Sequence, residues 1–504
     1  MHEIDNFLNS TTMYRLLIYY LGGLLGVAFV LSLFGNLGFS PVALAVSVAI
    51  LVTACWAINR VLAFVFRAPV NHESSIITAL ILALIITPKL GQFDILFLLA
   101  AAGLAMASKY VLTIRDVHIF NPAAIAVVIT AIGPRQDASW WVGTAAMLPF
   151  VLIGGLLVMR KIRREQMVLS FFAAAFVATL LIALHGQQDV ATSLKHLALT
   201  SPLFFLGFVM LTEPLTSPGT MGKQTLYAVL VALLMLPQTH IGRFYTSPEI
   251  ALILGNIFAY LIDPRARIFP VLVEKFRTAS DSLDFVFNPG RQLAYQPGQY
   301  MEWTLPHGGI DDRGNRRYFT LASSPTEQTL RLGVKFYNPS SSYKLAMLDM
   351  TSDTPMVASQ VAGDFVLPRS KKRKLAFIAG GIGVTPFRSM MKYLLDTNEQ
   401  RDVRMLYAAK SADDIAYRDV FEQARQQLGT QTTYVLSQSD VTPDPYEVVG
   451  RIDTEMIARA IPDYRERMFY ISGSHEMVVS VQDALSKLGV PRRHIKVDYF
   501  PGYM

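Results

Sequence analysis

A single cysteine, Cys55, stands in 504 residues. This excludes a disulfide framework, a paired-cysteine metal site and a cysteine-ligated iron–sulfur cluster in the chain, so any redox chemistry it performs would use organic cofactors. Charge is scarce as well: Asp, Glu, Lys and Arg make up 16% of the residues against 52% hydrophobic. With a mean hydropathy of +0.35, the chain is too apolar for a soluble protein of this length, and part of it must lie in lipid. The scarcity is uneven. Long uncharged runs fill residues 14–263, whereas 271–504 reads as ordinary globular sequence, which puts a boundary near Asp263 and Pro264. No small-residue cleavage site interrupts the apolar run from Tyr14, so the first span is expected to be retained.

Apolar segments recur at about 14–34, 41–66, 75–88, 93–110, 118–132, 141–159, 167–185, 197–211, 224–241 and 249–263, and about ten crossings are expected. Several fall short of the roughly 20 residues of a straight span and are expected to be tilted, broken or buried among neighbours. With the N-terminus in the cytoplasm, about twelve Lys and Arg fall on the cytoplasmic side and about four on the other, which places the residues after Arg265 in the cytoplasm. A bacterial-type inner membrane, crossed many times, is the expected location. The linker after Asp263 is short and stiffened by Pro264, so the C-terminal half is expected to stay at the cytoplasmic face. No acidic relay is evident within the spans. His118, His185, His196 and His240 lack the pairing that haem ligation needs. The basic runs 160–164 and 371–374 suit solvent or anionic lipid headgroups. No reader motif points to nucleic acid.

Three stretches of the apolar half, residues 75–88 (SIITALILALIITP), 118–124 (HIFNPAA) and 209–220 (VMLTEPLTSPGT), resemble those of the D subunit of the Rnf complex and the B subunit of the sodium-translocating NADH:quinone reductase. That family carries FMN on a threonine after the second stretch. Here the loop is shortened and only Thr144 is a candidate, with a helix-capping threonine as the alternative. Asn121, Glu213, Thr216 and Ser217 are candidate contacts for a bound flavin or quinone, or else bond between broken helices.

From Phe269 the pattern turns to short alternating strands, and after Lys374 to alternating strand and helix, as in a small β-barrel followed by an α/β nucleotide-binding domain. The ordered motifs 296–300 (QPGQY), 317–325 (RYFTLASSP), 363–368 (GDFVLP), 377–386 (FIAGGIGVTP) and 471–474 (ISGS) resemble the ferredoxin–NADP reductase superfamily across 271–504. Strand alternation puts Arg317 and Phe319 on one face and Thr320 on the other. A guanidinium suits a diphosphate, bidentate and always charged. The resemblance implies that Phe319 packs on the flavin ring and that Thr320 lies near its N5. It also implies that Ser342 helps bind FAD phosphates at a helix start, although the family's glycine there is Pro339. Gly380, Gly381 and Gly383 allow close backbone approach, with Thr385 expected as N-cap and Pro386 in the first helical turn, a cradle for a dinucleotide diphosphate. Ser472 and Gly473 stand where many relatives have Cys-Gly beside the nicotinamide. Phe500, or failing that Tyr499, is expected to stack on the flavin.

The expected fold is thus a polytopic α-helical membrane domain at 1–265, an FAD-binding β-barrel at 269–369 and an NAD(P)-binding α/β domain at 370–504. The expected function is electron transfer from NADH or NADPH through FAD into the membrane domain. The acceptor would be a quinone, an FMN or riboflavin bound there, or a flavinylated partner. Two alternatives are an energy-coupling subunit whose reductase half senses redox state, and a membrane-tethered flavin or ferric reductase. Lys410, Ser411 and Arg418 would welcome a 2′-phosphate and Asp413 and Asp414 would repel one, so the choice of coenzyme stays open.

Overall fold

The computed structural model describes residues 8, 11–68, 72–132, 138–242, 244–311, 313–438 and 445–500, apart from the side chains of 241, 244, 499 and 500. The chain divides into two compact units, Met1–Ala266 and Arg267–Met504.

Each apolar segment expected in the first unit contains a helix, but few have spanning length. Met13–Leu33, Pro41–Val65, Gln92–Val111 and Glu165–His185 are long and apolar enough to cross a membrane. A fifth candidate is the pair Val190–Thr200 and Leu203–Met210, bent by 56°. The break falls at Ser201 and Pro202, where proline removes a donor and ends the first helix. His72–Ile85 is only 14 residues long and is buried from Ile77 to its end, so its neighbours, and not lipid, satisfy its surroundings. Pro122–Ile132 is shorter still and begins on a side-chain cap: Asn121 Oδ1 accepts from Ala123 N and Ala124 N, both at 3.1 Å. A cap of this kind is worth about 1 kcal/mol. Ser40 before Pro41 and Ser247 before Pro248 begin two other helices in the same manner.

The second unit holds two three-stranded antiparallel sheets and one six-stranded parallel sheet. The first sheet runs in the order Val357–Ala362, Tyr300–Thr304, Arg316–Thr320, and the second in the order Val271–Ala279, Ser282–Asn288, Leu330–Lys335. Alternation along Leu330–Lys335 sends Leu330, Leu332 and Val334 into a core with Phe285, Phe287 and Trp303. Ser282–Asn288 is buried on both faces, because its other side meets the nucleotide-binding layer. The parallel sheet is ordered Glu447–Val449, Gln431–Leu436, Val403–Ala409, Leu375–Gly380, Met468–Ser474, Ile495–Phe500. Apolar clusters cover both of its faces, one around Phe377, Phe387 and Tyr407, the other around Ile378, Leu406 and Ile471, as a parallel sheet requires.

One charge lies deep in this unit. Asp284 is fully buried, accepts from the Tyr417 hydroxyl and lies 3.3 Å from Arg331 Nη1. Burial pushes its carboxyl from 3.8 up to about 6, against the opposing pull of Tyr417, Arg331 and Arg388. A carboxyl with a raised folded-state value holds its proton more tightly when folded, so its contribution is full below about pH 4 and is lost as the pH rises through about 6. Thermal unfolding of the full chain should therefore show the native protein losing roughly 2 kcal/mol relative to Asp284→Asn between pH 4.5 and 7.5. Parallel pH profiles for the two proteins would contradict this.

Candidate functional site

Strand order reverses about Leu375–Gly380, which pairs with Val403–Ala409 on one side and Met468–Ser474 on the other. In open α/β sheets such a reversal leaves a crevice at the carboxyl ends of the strands. Here that end carries Gly380, Gly381 and Gly383 beside Ser472 and Gly473. A Cβ added to Gly383 would lie 2.6 Å from Gly473 Cα and 2.7 Å from the Ser472 carbonyl carbon, and one on Gly473 would lie 3.4 Å from Gly380 Cα. These three glycines let two turns pack backbone to backbone. Gly381 differs from them: its φ is +52° and an added Cβ would meet nothing within 4 Å. Thr385 departs from expectation too. A tight turn over Gly381–Val384 runs straight into Thr385–Thr397, so Thr385 is the first helical residue and makes no side-chain cap bond, while Pro386 keeps its place in the first turn.

On Arg316–Thr320 the expected alternation holds. The Arg317 guanidinium lies 5.0 Å over the Tyr343 ring and Phe319 lies 6.1 Å from the same ring. Arg317 Nη1 donates to the carbonyls of Arg313 at 2.7 Å and Arg316 at 2.6 Å, which fixes the head of the side chain. Burial, and then the charges of Arg317, Arg313 and Lys335, brings the Lys344 amine down to about 8. Such positive surroundings fit a diphosphate. Ser342 is differently used than expected: its hydroxyl accepts from Asp311 N at 3.0 Å and pairs with His307 Nε2 at 3.1 Å. The helix is capped by Ser341, and the Asp311 carboxylate accepts from Ser342 N at 3.0 Å.

Thr320 is buried on the opposite face, its hydroxyl 3.5 Å from Asp498 Oδ2. Asp498 stands in register with Ser472 on the neighbouring strand, so the two side chains project to one face. The Ser472 hydroxyl is fully buried with no hydrogen-bond partner among the described residues. Two hydroxyls and a carboxylate thus come from three strands of two sheets. Asp498 escaped the sequence reading; its signal was its place two residues before Phe500 on an alternating strand. Phe500 ends that strand, but its side chain and that of Tyr499 lie outside the described residues.

In the first unit Asn121 Nδ2 donates to Glu213 Oε2 at 2.8 Å, and Asn121 N donates to Asn256 Oδ1 at 2.9 Å. His118 Nε2 lies 3.5 Å from Glu213 Oε1. The Thr216 hydroxyl donates to Glu213 Oε2 at 3.1 Å and that of Ser217 to the Glu213 carbonyl at 2.5 Å, while Arg164 also donates to Ser217. Both hydroxyls are therefore engaged in holding the loop. A buried acid that the sequence reading had not recognised, Glu249, accepts from Trp140 Nε1 at 2.9 Å. Thr144 is exposed, at a small cavity of about 10 Å³ lined also by Val142, Leu148, Ser201 and Phe204.

The sequence model of the oxidoreductase NAD-binding domain matches residues 377–483. A flavohemoprotein of Bacillus cereus is 26% identical over 242 residues, covering 46% of this chain and 60% of its own length. Flavohemoprotein A of Dictyostelium discoideum is 24% identical over 247 residues, covering 46% and 59%. Among solved structures, the flavohem-like FAD/NAD binding domain of nitric oxide dioxygenase from Vibrio cholerae is 24% identical with a TM-score of 0.41, covering 46% of this chain and 98% of that one. The C-terminal half is an oxidoreductase module of the NAD(P)H- and FAD-dependent type. The chain spans about 60% of the length of its curated relatives, so their whole activity does not transfer to it.

Replacing Arg317 by Ala should weaken FAD binding by about 2 kcal/mol, roughly thirtyfold, since a diphosphate would lose a bidentate cation. Fluorescence titration of the flavin-stripped protein measures this, and an unchanged Kd would remove Arg317 from the site.

Proposed function

We propose that the chain takes a hydride from NAD(P)H onto FAD in its C-terminal half and passes the electrons into its N-terminal half. FAD would lie on the 269–369 barrel and the coenzyme on 370–504, both in the cytoplasm. Residues 1–265 would lie in a bacterial-type inner membrane and cross it with the four or five helices long enough to do so. The acceptor there is a quinone, a bound FMN or riboflavin, or a flavinylated partner beyond the membrane. The observation that carries the reading is the approach of Thr320 to Asp498 across two sheets, beside the register partner Ser472, on a module of reductase type. The hydride would bring its own hydrogen to flavin N5, and a hydroxyl and a carboxylate within reach of each other could take up the proton that N5 releases when the reduced flavin gives up its electrons. The glycine turn would bind the coenzyme diphosphate through the open side of Gly381, and FAD itself supplies the step from two-electron to one-electron chemistry.

The resemblance of the N-terminal half to the Rnf D and sodium-translocating reductase B subunits is supported by a spatial coincidence. Asn121 of the 118–124 stretch and Glu213 of the 209–220 stretch are hydrogen-bonded, although 92 residues separate them. NADH is favoured over NADPH. Arg418 is held by Glu447 at 2.8 Å, and the Asp414 carboxylate, bonded to Ser411 N at 3.2 Å, would repel a 2′-phosphate. A larger kcat/KM with NADPH would reverse that choice.

Anaerobic NADH titration of the purified full chain should bleach one FAD per chain, with acid-released and retained flavin counted separately. A protein that holds no flavin, or whose flavin stays oxidised, would overturn the reading. If electrons enter the membrane half at the 212–223 loop, Thr216→Ala with Ser217→Ala should keep NADH-to-dye activity at the FAD and lose transfer to the membrane acceptor. Survival of both activities would make the loop purely structural.

A further inference from the structure

The coenzyme layer of the second unit meets the barrel at a place where one side chain is missing. Gly333 lies on the barrel strand Leu330–Lys335, directly across from Asp284 on Ser282–Asn288. Side chains of such cross-strand partners rise from the same face. Because Gly333 has none, the space beside Asp284 is filled from the other layer. The Tyr417 hydroxyl enters it and donates to Asp284. A Cβ on Gly333 would overlap that hydroxyl, and would lie 2.8 Å from Thr385 Cγ2 and 3.1 Å from Ile382 Cδ1. The last two residues belong to the glycine turn and the helix that follows it. The notch left by one glycine is thus what lets the coenzyme turn rest on the barrel.

The contact does not stand alone. Arg388, one turn into the helix after the glycine turn, donates to the Ala322 carbonyl at 2.7 Å and to both Glu327 oxygens at 2.6 and 2.9 Å. Ser389 donates to the Ser323 carbonyl at 2.6 Å. The Arg388 guanidinium also lies 5.6 Å over the Tyr417 ring. On the far side of Tyr417, the barrel hairpin reaches the segment after Val403–Ala409, with Ser280 N donating to the Asp413 carbonyl at 3.2 Å and the Ser280 hydroxyl to Asp414. Tyr417 itself is buried and sits at φ 60°, a backbone conformation that tyrosine adopts only when its surroundings dictate it. Both stretches that would face a dinucleotide, the turn at 380–386 and the segment at 411–417, are therefore anchored to the barrel through neighbouring contacts.

We propose that Gly333, Asp284 and Tyr417 form a positioning joint that sets the spacing between the coenzyme turn and the flavin-bearing barrel, and so the distance over which hydride is transferred. The inference rests on the reading that the barrel holds FAD and the turn holds the coenzyme. Hydride transfer is steep in donor–acceptor distance, and a displacement of about 1 Å can cost on the order of a hundredfold in rate. The methyl of Gly333→Ala can be accommodated only by moving Tyr417, Thr385 or the strand itself. Tyr417→Phe removes the nearest of the atoms that the methyl would strike and leaves the Thr385 methyl to give way, so the two substitutions should compensate each other in part.

The test uses the full chain as wild type, Gly333→Ala, Tyr417→Phe and the double variant. In the flavin-free protein, Gly333→Ala should raise amide hydrogen exchange at 382–387 and 414–418 while sparing the barrel core at 283–287, and the double variant should restore protection. In the FAD-loaded protein, Gly333→Ala should slow flavin reduction by NADH at least tenfold with FAD still bound. The primary isotope effect with NADH deuterated at C4 should rise, and both quantities should recover in part in the double variant. A stabilising contact without a positioning role would leave the isotope effect unchanged. Wild-type exchange, rate and isotope effect in Gly333→Ala would overturn the proposal, as would a rate loss that the double variant does not repair. Should Gly333→Ala fail to fold, Tyr417→Phe alone must show a slower reduction with a changed isotope effect, and wild-type values there overturn it equally. A wild-type protein whose flavin NADH never reduces would instead count against the proposed function.

Discussion

The reductase half depends on backbone meeting backbone at the carboxyl end of its parallel sheet. Gly383 approaches Gly473 so closely that a single methyl on Gly383 would have to displace the backbone of the neighbouring turn. Interiors packed to crystal-like density have little slack to absorb such a change. Leu375–Gly380 and Met468–Ser474 are adjacent in the sheet, and both must end in turns that leave the switch point open. Glycine solves two problems there. It closes the gap between the turns at 380, 383 and 473, and it leaves open space beside the backbone at 381. Ser472 and Asp498 then fall into register beneath the turns without further constraint.

The N-terminal unit is organised by different means, through a few buried polar groups that each make several bonds. Asn121 caps one helix through its side-chain oxygen, holds Glu213 through its amide and meets Asn256 through its backbone. Asn256 in turn reaches the Thr216 carbonyl and the Tyr227 hydroxyl, both at 3.3 Å. Broken helices leave orphan donors and acceptors that no water satisfies in an apolar surround. Two asparagines and a glutamate absorb them, which explains why polar residues occur in an otherwise apolar run.

What the sequence made legible follows from the range of the interactions involved. Strand alternation is local, and Arg317 and Phe319 share the Tyr343 face as expected. The glycine turn and its helix were legible because strand, turn and helix are contiguous in the chain. Thr385 was misjudged as a cap because the preceding tight turn, which removes the need for one, is set by contact with Gly473. Ser342 and Asp311 lie 31 residues apart, and no spacing rule connects them. The span count was the least legible feature: hydropathy reports apolar length, but His72–Ile85 is apolar because it is surrounded by protein.

The nature of the electron acceptor bears on how the buried polar groups of the N-terminal unit should be understood. A quinone takes up two protons with its two electrons, whereas a series of flavins can hand electrons on without net proton uptake at each site. A site for quinone reduction therefore needs a proton-carrying group within reach, sheltered enough to have specific partners yet not fully committed to them. Thr216 and Ser217 fail that requirement, since their hydroxyls already serve the loop. His118 meets it better. Its Nε2 has no hydrogen-bond partner among the described residues, and it faces a Glu213 carboxylate whose other oxygen is held by Asn121 and Thr216. The imidazole and carboxylate lie 3.5 Å apart, and this pair, more than the hydroxyls beside it, has the geometry that a proton-consuming acceptor would need.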